Sequence, residues 1–584
     1  MDGTVHGRLP SRYCTATRRA ASKNTFPGTN SEPSSGSDSD GPAKEKLPPF
    51  NERNDALLNS RPDRSAERDD VVTYLLGDEA LSPSFSLLDF FRSQAIDTSR
   101  VTTPQVKKLD GVLSPYTWSL RKKSVILCGP FMASTLAAYA AGAYAMASEP
   151  LKGQWHVSGT PYNAGITLFV AGFGFAPMIL APVSEAYGRY WVFVGSGVVF
   201  FLGTLGCAVT DTYAGMLVSR LVTGSGASVF ATLTGGVVGD LFRKEDRNTP
   251  MALYSLTIMA GTGLGPLVSG IIVERLSWRW IFFVQLIAIG ATTLVMLVGF
   301  KETRSNVLLR RKCDALNRAY GAPEAAISGL SCDPKPSRAP PQFRPRTEDT
   351  RIVGIGLVWR SFSFPLKLLV TEPVVFWFSA WVSFAWAILY MQFSSISIVF
   401  RDVYGFNATR IGIVYVAIII GSIIGALLAI MQEPLIRRML PQKKAHASPE
   451  EHLFLPSIAS ILLPAGLFWF GWSATSSVSW ISPTIALGCC TVGIFSIYLA
   501  VFNYFVDTYH HYASSALAAQ SMCRNLLAGT FPLFTAAMFR NLTCKGAGSL
   551  LGGLGLILTA IPWALMVYGR KIRARSPFAG ELVE

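Results

Sequence analysis

The sequence predicts an all-α membrane protein with twelve transmembrane helices in two six-helix halves. Hydrophobic residues make up 50% of its 584 residues and charged residues only 15%, and the mean hydropathy is +0.34. A soluble domain usually has about a quarter of its residues charged. Charge-free runs long enough to cross a hydrocarbon core of about 30 Å recur along the chain. These observations together predict repeated membrane crossing.

Twelve candidate spans emerge when the chain is divided at its charged residues. A crossing helix needs roughly 20 apolar residues, because each residue rises about 1.5 Å. The charge-free run 453–506 is too long for one crossing, but the small polar segment "WSATSSVSWISP" (472–483) divides it. The candidates are residues 124–147, 161–183, 190–210, 213–238, 250–273, 280–300, 374–399, 411–431, 455–475, 481–505, 512–538 and 547–569.

The positions of lysine and arginine orient these spans. Most of the 52 basic residues fall in segments assigned to the cytoplasm, above all the N-terminal region and residues 301–372. Basic segments are retained on the cytoplasmic side, so both termini are predicted to be cytoplasmic. Topology thus accounts for the net charge of +15, and we expect no nucleic-acid partner.

The spans divide six and six around a basic segment containing "PKPSRAPPQFRPR", whose prolines oppose compact structure. The N-terminal region has no signal-peptide pattern and is polar and rich in serine and proline, so it cannot bury a core. Two related halves are typical of transporters that rock around a central site. The predicted organisation is a disordered cytoplasmic tail (1–120), a first half (121–300), a cytoplasmic linker (301–372), a second half (373–570) and a cytoplasmic C-terminal tail (571–584).

Six short motifs occur in order along the chain. They are "APVSEAYGRY" (181–190), "SRLVTGSGAS" (219–228), "GTGLGPLVSG" (261–270), "SWRWIFF" (277–283), "NYFVDTYHHYASSALAAQSMCRNLLAGTFPLF" (503–534) and "KIRARSPFA" (571–579). With these motifs the chain resembles the major facilitator superfamily, and within it the fungal drug:proton antiporter branch with twelve spans. The resemblance covers residues from about 120 to 584 and implies the major facilitator fold.

The first motif places an acid and an arginine in the short polar loop after the second span. Gly188 allows a tight turn between two helices, while Glu185 and Arg189 lie at the cytoplasmic end, where an arginine can hold an acid. The resemblance implies that this loop bridges to the other half near Ser514 and Ser515 and steadies the outward-open state. The alternative is a loop that only orients the spans and carries a solvated ion pair.

Two arginines, Arg220 and Arg524, fall inside predicted spans, where a guanidinium is costly unless it faces a cavity or a partner. The resemblance links Arg220 to proton transfer. Because arginine does not readily lose its proton, we expect it to hold a carboxylate or a water chain in one state and release it in the other, with Glu185 and Asp507 as the first acids to test. For both arginines the alternative is a structural role, such as hydrogen bonds to carbonyls of a neighbouring helix.

The third motif, in the fifth span, has small residues spaced for close helix packing. The resemblance links this motif to exchange and to sealing against leak; plain helix packing is the alternative. No strand precedes the motif, and no nucleotide-binding fingerprint occurs in the chain, so we expect neither ATP-driven pumping nor a cofactor. The residues assigned to it are Gly261, Gly265, Pro266 and Gly270.

A cavity for bulky organic compounds needs aromatic walls and few polar groups. About half of the candidates are expected to line it, since aromatic residues in spans often pack instead. Acids are scarce deep in the spans, so a cationic substrate has no evident buried carboxylate to meet. The candidates are Asn163, Trp386, Tyr390, Gln392, Tyr498, Asn503, Tyr504 and Gln520.

The function predicted from these features is proton-coupled export of small organic compounds, such as drugs, fungicides, polyamines or a secondary metabolite or toxin. The alternative is an importer of a sugar or another nutrient with the same fold. Sugar porters carry a PESPR-like sequence after the sixth span, whereas this chain has "KETR" (301–304), which favours export. A membrane enzyme or receptor is a third class, but the chain has no catalytic triad or metalloprotease motif.

The remaining expectations concern partners and location. The protein should be a monomer in the bilayer that binds its substrate and protons, in the cell membrane or alternatively the vacuolar membrane. His510 and His511 are read as a solvated pair rather than a metal site. Asn407 in "NAT" and Asn541 in "NLT" fall in loops assigned outside and could carry sugar.

Overall fold

The computed structural model describes residues 73–76, 78–82, 86–87, 90–91, 114–243, 246–321, 342–345, 355–439, 450, 453–509, 512–574, 576 and 578. Two short strands are β1 (Thr73–Leu76) and β2 (Gln342–Pro345). The helices are α1 (Leu120–Met146), α2 (Ser148–Trp155), α3 (Gly159–Tyr187), α4 (Arg189–Val209), α5 (Tyr213–Leu241), α6 (Asn248–Arg275), α7 (Arg279–Gly299), α8 (Ser305–Gly321), α9 (Ile355–Thr371), α10 (Pro373–Asp402), α11 (Ala408–Val414), α12 (Val416–Met439), α13 (Phe454–Ser460), α14 (Leu462–Ser473), α15 (Ile481–Tyr509) and α16 (Ala513–Arg573).

Local capping fixes where several of these helices begin. The hydroxyl of Ser119 accepts a hydrogen bond from the backbone N–H of Lys122, three residues into α1. Thr212 does the same for the N–H of Gly215 in α5, at 3.1 Å. Pro373 is the first residue of α10, a position at which the backbone N–H has no partner within the helix, so its absence in proline costs no hydrogen bond. Polar side chains at span ends thus satisfy backbone groups that lipid cannot.

Eleven helices among the described residues are long and apolar enough to cross a membrane. The last of them, Ser515–Arg573 within α16, is 59 residues long, about three times the roughly 20 residues that one crossing requires. Inside it, Thr543 has φ 62° and ψ 170°, which is not helical, so the helix is broken near its middle. The predicted all-α membrane fold is confirmed. The count of twelve crossings stays a prediction, because it requires α16 to cross twice.

The outward surface of the helices is apolar, as a lipid-facing surface must be. Val298 is 79% exposed, Ile557 71% and Ile287 69%. In water such a surface would be unfavourable, since each exposed aliphatic side chain forgoes roughly 1.5–3 kcal/mol of burial. The exposed face therefore fits a bilayer as its partner.

The halves meet through α3 against α16 and through α6 against α11 and α12. At one end, which the distribution of basic residues assigns to the outside, Glu149 forms an ion pair with Arg401 at 2.6 Å across this interface. Burial raises the pKa of the Glu149 carboxyl, but Arg401 and Lys152 together outweigh burial and lower the pKa below its usual value. Glu274 of the first half accepts hydrogen bonds from Asn407 and from the backbone of Thr409. These contacts close the outer end.

Part of the N-terminal region is folded, whereas the sequence predicts that this region is disordered. Strand β1 pairs in parallel with β2 of the predicted linker, Thr73 opposite Gln342. Lys312 in α8 donates to the carbonyl of Ala80 at 2.7 Å. An apolar cluster joins the two segments: Leu76, Ala80, Leu81, Leu87, Phe91, Leu309, Cys313, Leu316 and Phe343. The linker between the halves is therefore tied to the tail. The domain boundaries given above stay predictions.

We predict that sugar is attached to Asn541 and not to Asn407. The Asn407 side chain caps α11, accepting from the N–H of Arg410 at 3.0 Å, and also donates to Glu274 at 2.6 Å, so a glycan there would disrupt the outer contact. Asn541 is exposed near the break in α16. Removing glycans enzymatically should shift the mobility of the Asn407→Gln variant but not of Asn541→Gln. A cysteine at position 407 or 541 that reacts only with a cytoplasmic reagent would show that the topology is wrong.

Candidate functional site

The turn after α3 is built around Gly188 and a carboxylate from beyond the sixth span. Gly188 has φ 106°, in the region that favours glycine. A Cβ at this position would overlap the carboxylate of Glu302. That carboxylate accepts hydrogen bonds from the backbone N–H groups of Arg189 and Tyr190, at 3.0 and 3.3 Å. Glu302 therefore caps the N-terminus of α4, where a helix favours negative charge.

Arg189 lies in a charged cluster that stays within the first half. It is 4% exposed; its Nε donates to Asp240 at 3.1 Å and its Nη1 to the hydroxyl of Ser184 at 2.9 Å. Arg304 donates to the other oxygen of Asp240, also at 3.1 Å. Burial lowers the pKa of Arg304, but Asp240 and Glu185 outweigh it and raise the pKa above its ordinary value. The cluster links α3, α4, α5 and the end of the first half.

This geometry differs from the bridge expected between the halves. The bridge from this loop to Ser514 and Ser515 stays a prediction, and in this conformation Arg189 pairs with Asp240 of its own half. The side chain of Ser514 lies outside the described residues. Sequence reasoning missed Glu302 as the partner of the turn, although an acid in "KETR" directly after the sixth span was a usable signal.

Arg220 is held by two neighbouring helices, α1 and α3. It is 1% exposed, and its Nη1 and Nε donate to the carbonyls of Ala140 in α1 and Gly165 in α3, at 3.0 and 3.3 Å. Its guanidinium lies over the rings of Tyr144 and Phe169, at 4.5 and 4.2 Å. Its Nη2 is buried with no hydrogen-bond partner.

In this conformation Arg220 does not hold Glu185, and its role in holding an acid in one state of the transport cycle stays a prediction. Arg220 contacts Gly165, and Glu185 lies 20 residues further along the same helix α3, a rise of about 30 Å. Asp507 lies two residues before the cytoplasmic end of α15, whereas Arg220 lies in the outer third of α5. Within the described residues, Arg220 contacts backbone carbonyls and aromatic rings. Hydrogen bonds to carbonyls of neighbouring helices are what a structural role for this arginine predicts.

Arg524 is the central residue that the second half contributes to the buried site. Its guanidinium carbon is 4.5 Å from the ring of Trp386 in α10 and 5.3 Å from that of Tyr498 in α15. These two rings pack on each other with centroids 5.1 Å apart. Tyr390 lies one turn after Trp386 and is close enough to interact electrostatically with both Arg220 and Arg524. The two arginines and three aromatic side chains form a buried set, which we call the central site.

Five other cavity candidates do not join the central site through a described contact. Asn163 donates to the carbonyl of Pro532 at 2.7 Å, near the outer end of the interface. Gln392 lines a small pocket inside the second half with Leu467 and Phe470. The ring of Tyr504 packs edge-on against Phe378 at 4.9 Å. Asn503 is half-buried and Gln520 is buried. His510 and His511 lie outside the described residues.

The motif of the fifth span lies between the halves. A Cβ at Gly261 would come within 2.5 Å of the carbonyl of Thr135, and one at Gly265 would overlap Tyr139, so this face of α6 seats against α1. A Cβ at Gly270 would lie 2.6 Å from the carbonyl of Ala408, across the interface in α11. Pro266 contacts both sides: its Cδ fills the space beside Gly142, and its carbonyl lies at Gly412 of the second half. Helix α6 therefore packs closely both against α1 of its own half and against α11 of the other half.

Two bundles of membrane helices around a buried central site define a transporter of small molecules. A family model described as Major Facilitator Superfamily matches residues 131–532, and the chain belongs to this family. Its relatives include fungal proteins named as efflux pumps, so it belongs with the efflux-type transporters of the superfamily. These are transporters rather than enzymes.

The chain is 34% identical over 413 residues to "Efflux pump atB" of Aspergillus terreus, covering 70% of this chain and 83% of that protein. It is 31% identical over 417 residues to "Efflux pump FUB11" of Gibberella fujikuroi, covering 71% and 70%. Among solved structures, the xylose transporter XylE from E. coli, in a partially occluded inward-open conformation, matches with TM-score 0.51 and 14% identity over 76% of this chain and 99% of that one. That likeness concerns the fold.

Proposed function

We propose that the protein is a proton-coupled exporter that moves small organic compounds by alternating access. The observation that carries the proposal is Arg220, a charge buried among membrane helices at the interface of three of them. Such a charge is costly and is usually retained for transport. The efflux pumps among the relatives support the outward direction.

Alternating access is supported by how the halves are joined. The outer end is closed by polar contacts from Glu149 and Glu274 and by glycine packing at Gly270. Each of these contacts is small, so few polar interactions have to break for the outer end to open. Arg220 and Arg524 are 1% and 3% exposed, so both are shut off from water in this conformation. Opening one end at a time would expose the central site.

The alternative, an importer of a sugar or another nutrient, predicts the opposite use of the gradient. A proton symporter accumulates substrate on the side to which protons flow, whereas an antiporter accumulates it on the other side. We propose the cell membrane as the location, with the vacuolar membrane as the second candidate, and a monomer as the working unit.

We expect Arg220→Ala to lose proton-driven accumulation of substrate while remaining folded in the membrane. The variant removes a buried charge and two hydrogen bonds that join α1 and α3 to α5. Arg220→Lys should retain part of the activity, because it keeps the charge and loses the planar set of donors. The measurement is uptake into reconstituted vesicles with an imposed pH gradient, using a compound that the wild-type protein moves.

The matched control is Arg540→Ala, which removes an exposed arginine from a membrane helix. It should transport as the wild type does. Full accumulation by Arg220→Ala would eliminate the role of this residue. Wild-type transport that ignores the gradient would eliminate the antiporter, and accumulation on the side to which protons flow would establish the importer.

A further inference from the structure

The interiors of the membrane helices carry two buried cations and no acid. Within the eleven membrane-length helices, acids occur at most two residues from a helix end: Glu185, Asp240, Glu274, Asp402 and Asp507. Arg220 lies seven residues inside α5 and Arg524 eleven residues inside α16. These eleven helices therefore supply no carboxylate at that depth to balance two guanidinium charges, and an uncompensated buried charge is unfavourable.

Of the two arginines, Arg524 is the less satisfied. Its Nη2 donates to the hydroxyl of Ser521 on its own helix at 3.3 Å, and its Nε is buried with no partner. Arg220 has two carbonyl partners from neighbouring helices. Arg524 thus keeps donors free for a ligand, while Arg220 adds positive potential to the same site.

The surroundings of Arg524 are aromatic. Trp386 and Tyr498 lie against its guanidinium, and Tyr390 lies one turn from Trp386, within electrostatic range of both arginines. All three side chains are at most 5% exposed. An apolar ring system can pack on these faces, and a compound with an ionised acid group can reach the guanidinium at the same time.

We propose that the central site binds amphipathic organic anions, with the carboxylate on Arg524 and the apolar body against Trp386, Tyr390 and Tyr498. The inference rests on the proposed function and names the substrate class of that exporter. A planar guanidinium binds a carboxylate through two parallel hydrogen bonds, and these are strengthened where water is excluded. An organic cation would instead meet two like charges without an acid to offset them.

The test compares three compounds that share one ring system: naphthalene-1-acetate, its neutral amide, and 2-(naphthalen-1-yl)ethylammonium. Binding to the purified full-length protein in lipid nanodiscs is measured by quenching of tryptophan fluorescence and by ligand-induced thermal shift. We expect the carboxylate to bind about tenfold more tightly than the amide, as hydrogen bonds to a charged group imply, and the ammonium compound to bind most weakly. Arg524→Gln should remove the preference, and Arg524→Lys should keep part of it.

The control is Arg540→Gln, which removes an exposed charge from the same helix α16 and should keep the preference. Thermal unfolding of each variant without ligand shows whether it is folded, and Arg524→Lys provides the comparison if Arg524→Gln is not. The proposal is overturned if the three compounds bind equally, if none binds, or if the preference survives in Arg524→Gln. Because binding is measured without a gradient, a preferred carboxylate that is not exported refutes the exporter alone. Gradient-driven export without any preference for the anion refutes this inference alone.

Discussion

Replacing Gly270 by leucine is expected to abolish transport while leaving the protein folded. The new side chain would enter the space occupied by the carbonyl of Ala408, so α6 and α11 could no longer close the outer end. The packing within each half is largely unchanged, so the protein should stay folded. Because the outer end cannot close, the outward-open state should accumulate. Thr167, whose hydroxyl donates to the carbonyl of Gly529 across the interface at 2.7 Å, is a suitable reporter position. With the exposed native cysteines replaced, a cysteine at position 167 should react faster with an outside reagent in the Gly270→Leu variant.

Gly195→Leu is the matched control. Gly195 lies inside the membrane helix α4, where nothing lies within 4 Å of a built Cβ, so the same change in side-chain size meets no other part of the protein. Transport and labelling should be those of the wild type. Normal transport by Gly270→Leu, or labelling no faster than in Gly195→Leu, would show that this contact does not govern closure.

Gly188→Ala is expected to cause a large fall in the thermal unfolding midpoint. Two costs add: a side chain at φ 106° and ψ 159°, a region occupied essentially only by glycine, costs on the order of 1–3 kcal/mol, and its Cβ displaces the carboxylate of Glu302 from the start of α4. Gly405→Ala separates the two costs, because Gly405 also has positive φ, 63°, but nothing lies within 4 Å of its built Cβ. Thermal unfolding in detergent should show a clearly larger fall for Gly188→Ala. Equal falls would mean that the Glu302 contact contributes nothing to stability.

The helical architecture follows from the sequence because membrane helices leave a strong local signature. A charge-free run must satisfy its own backbone in lipid, and the helix is the way one segment does so. The break at Thr543 is less visible, since "RNLTCKG" shows a polar interruption but not whether the helix bends or ends there. The tail sheet was missed because its four-residue strands pair across the whole first half, and no local pattern records such a partner.

The site was predicted in part for the same reason. The turn at Gly188 is a property of a few neighbouring residues, and it could be read from the loop. Its partner Glu302 is 113 residues away, and the contact of Arg524 with Trp386 joins two helices whose relative rotation the sequence does not give. Residue type could predict that buried arginines need partners, but it left open whether these would be acids or backbone carbonyls, and it did not indicate the aromatic rings.

The pairing of β1 with β2 has a consequence for the order in which the chain is made. Thr73 leaves the ribosome 269 residues before Gln342, its partner in the sheet. At synthesis rates of roughly 5–20 residues per second, β1 waits about 13 to 54 seconds, during which the first six spans are inserted. Leu76, Leu81 and Phe91 have no access to their eventual neighbours in α8 and β2 over that interval. Closure of the sheet then marks the moment at which the first half is complete and the second begins to emerge.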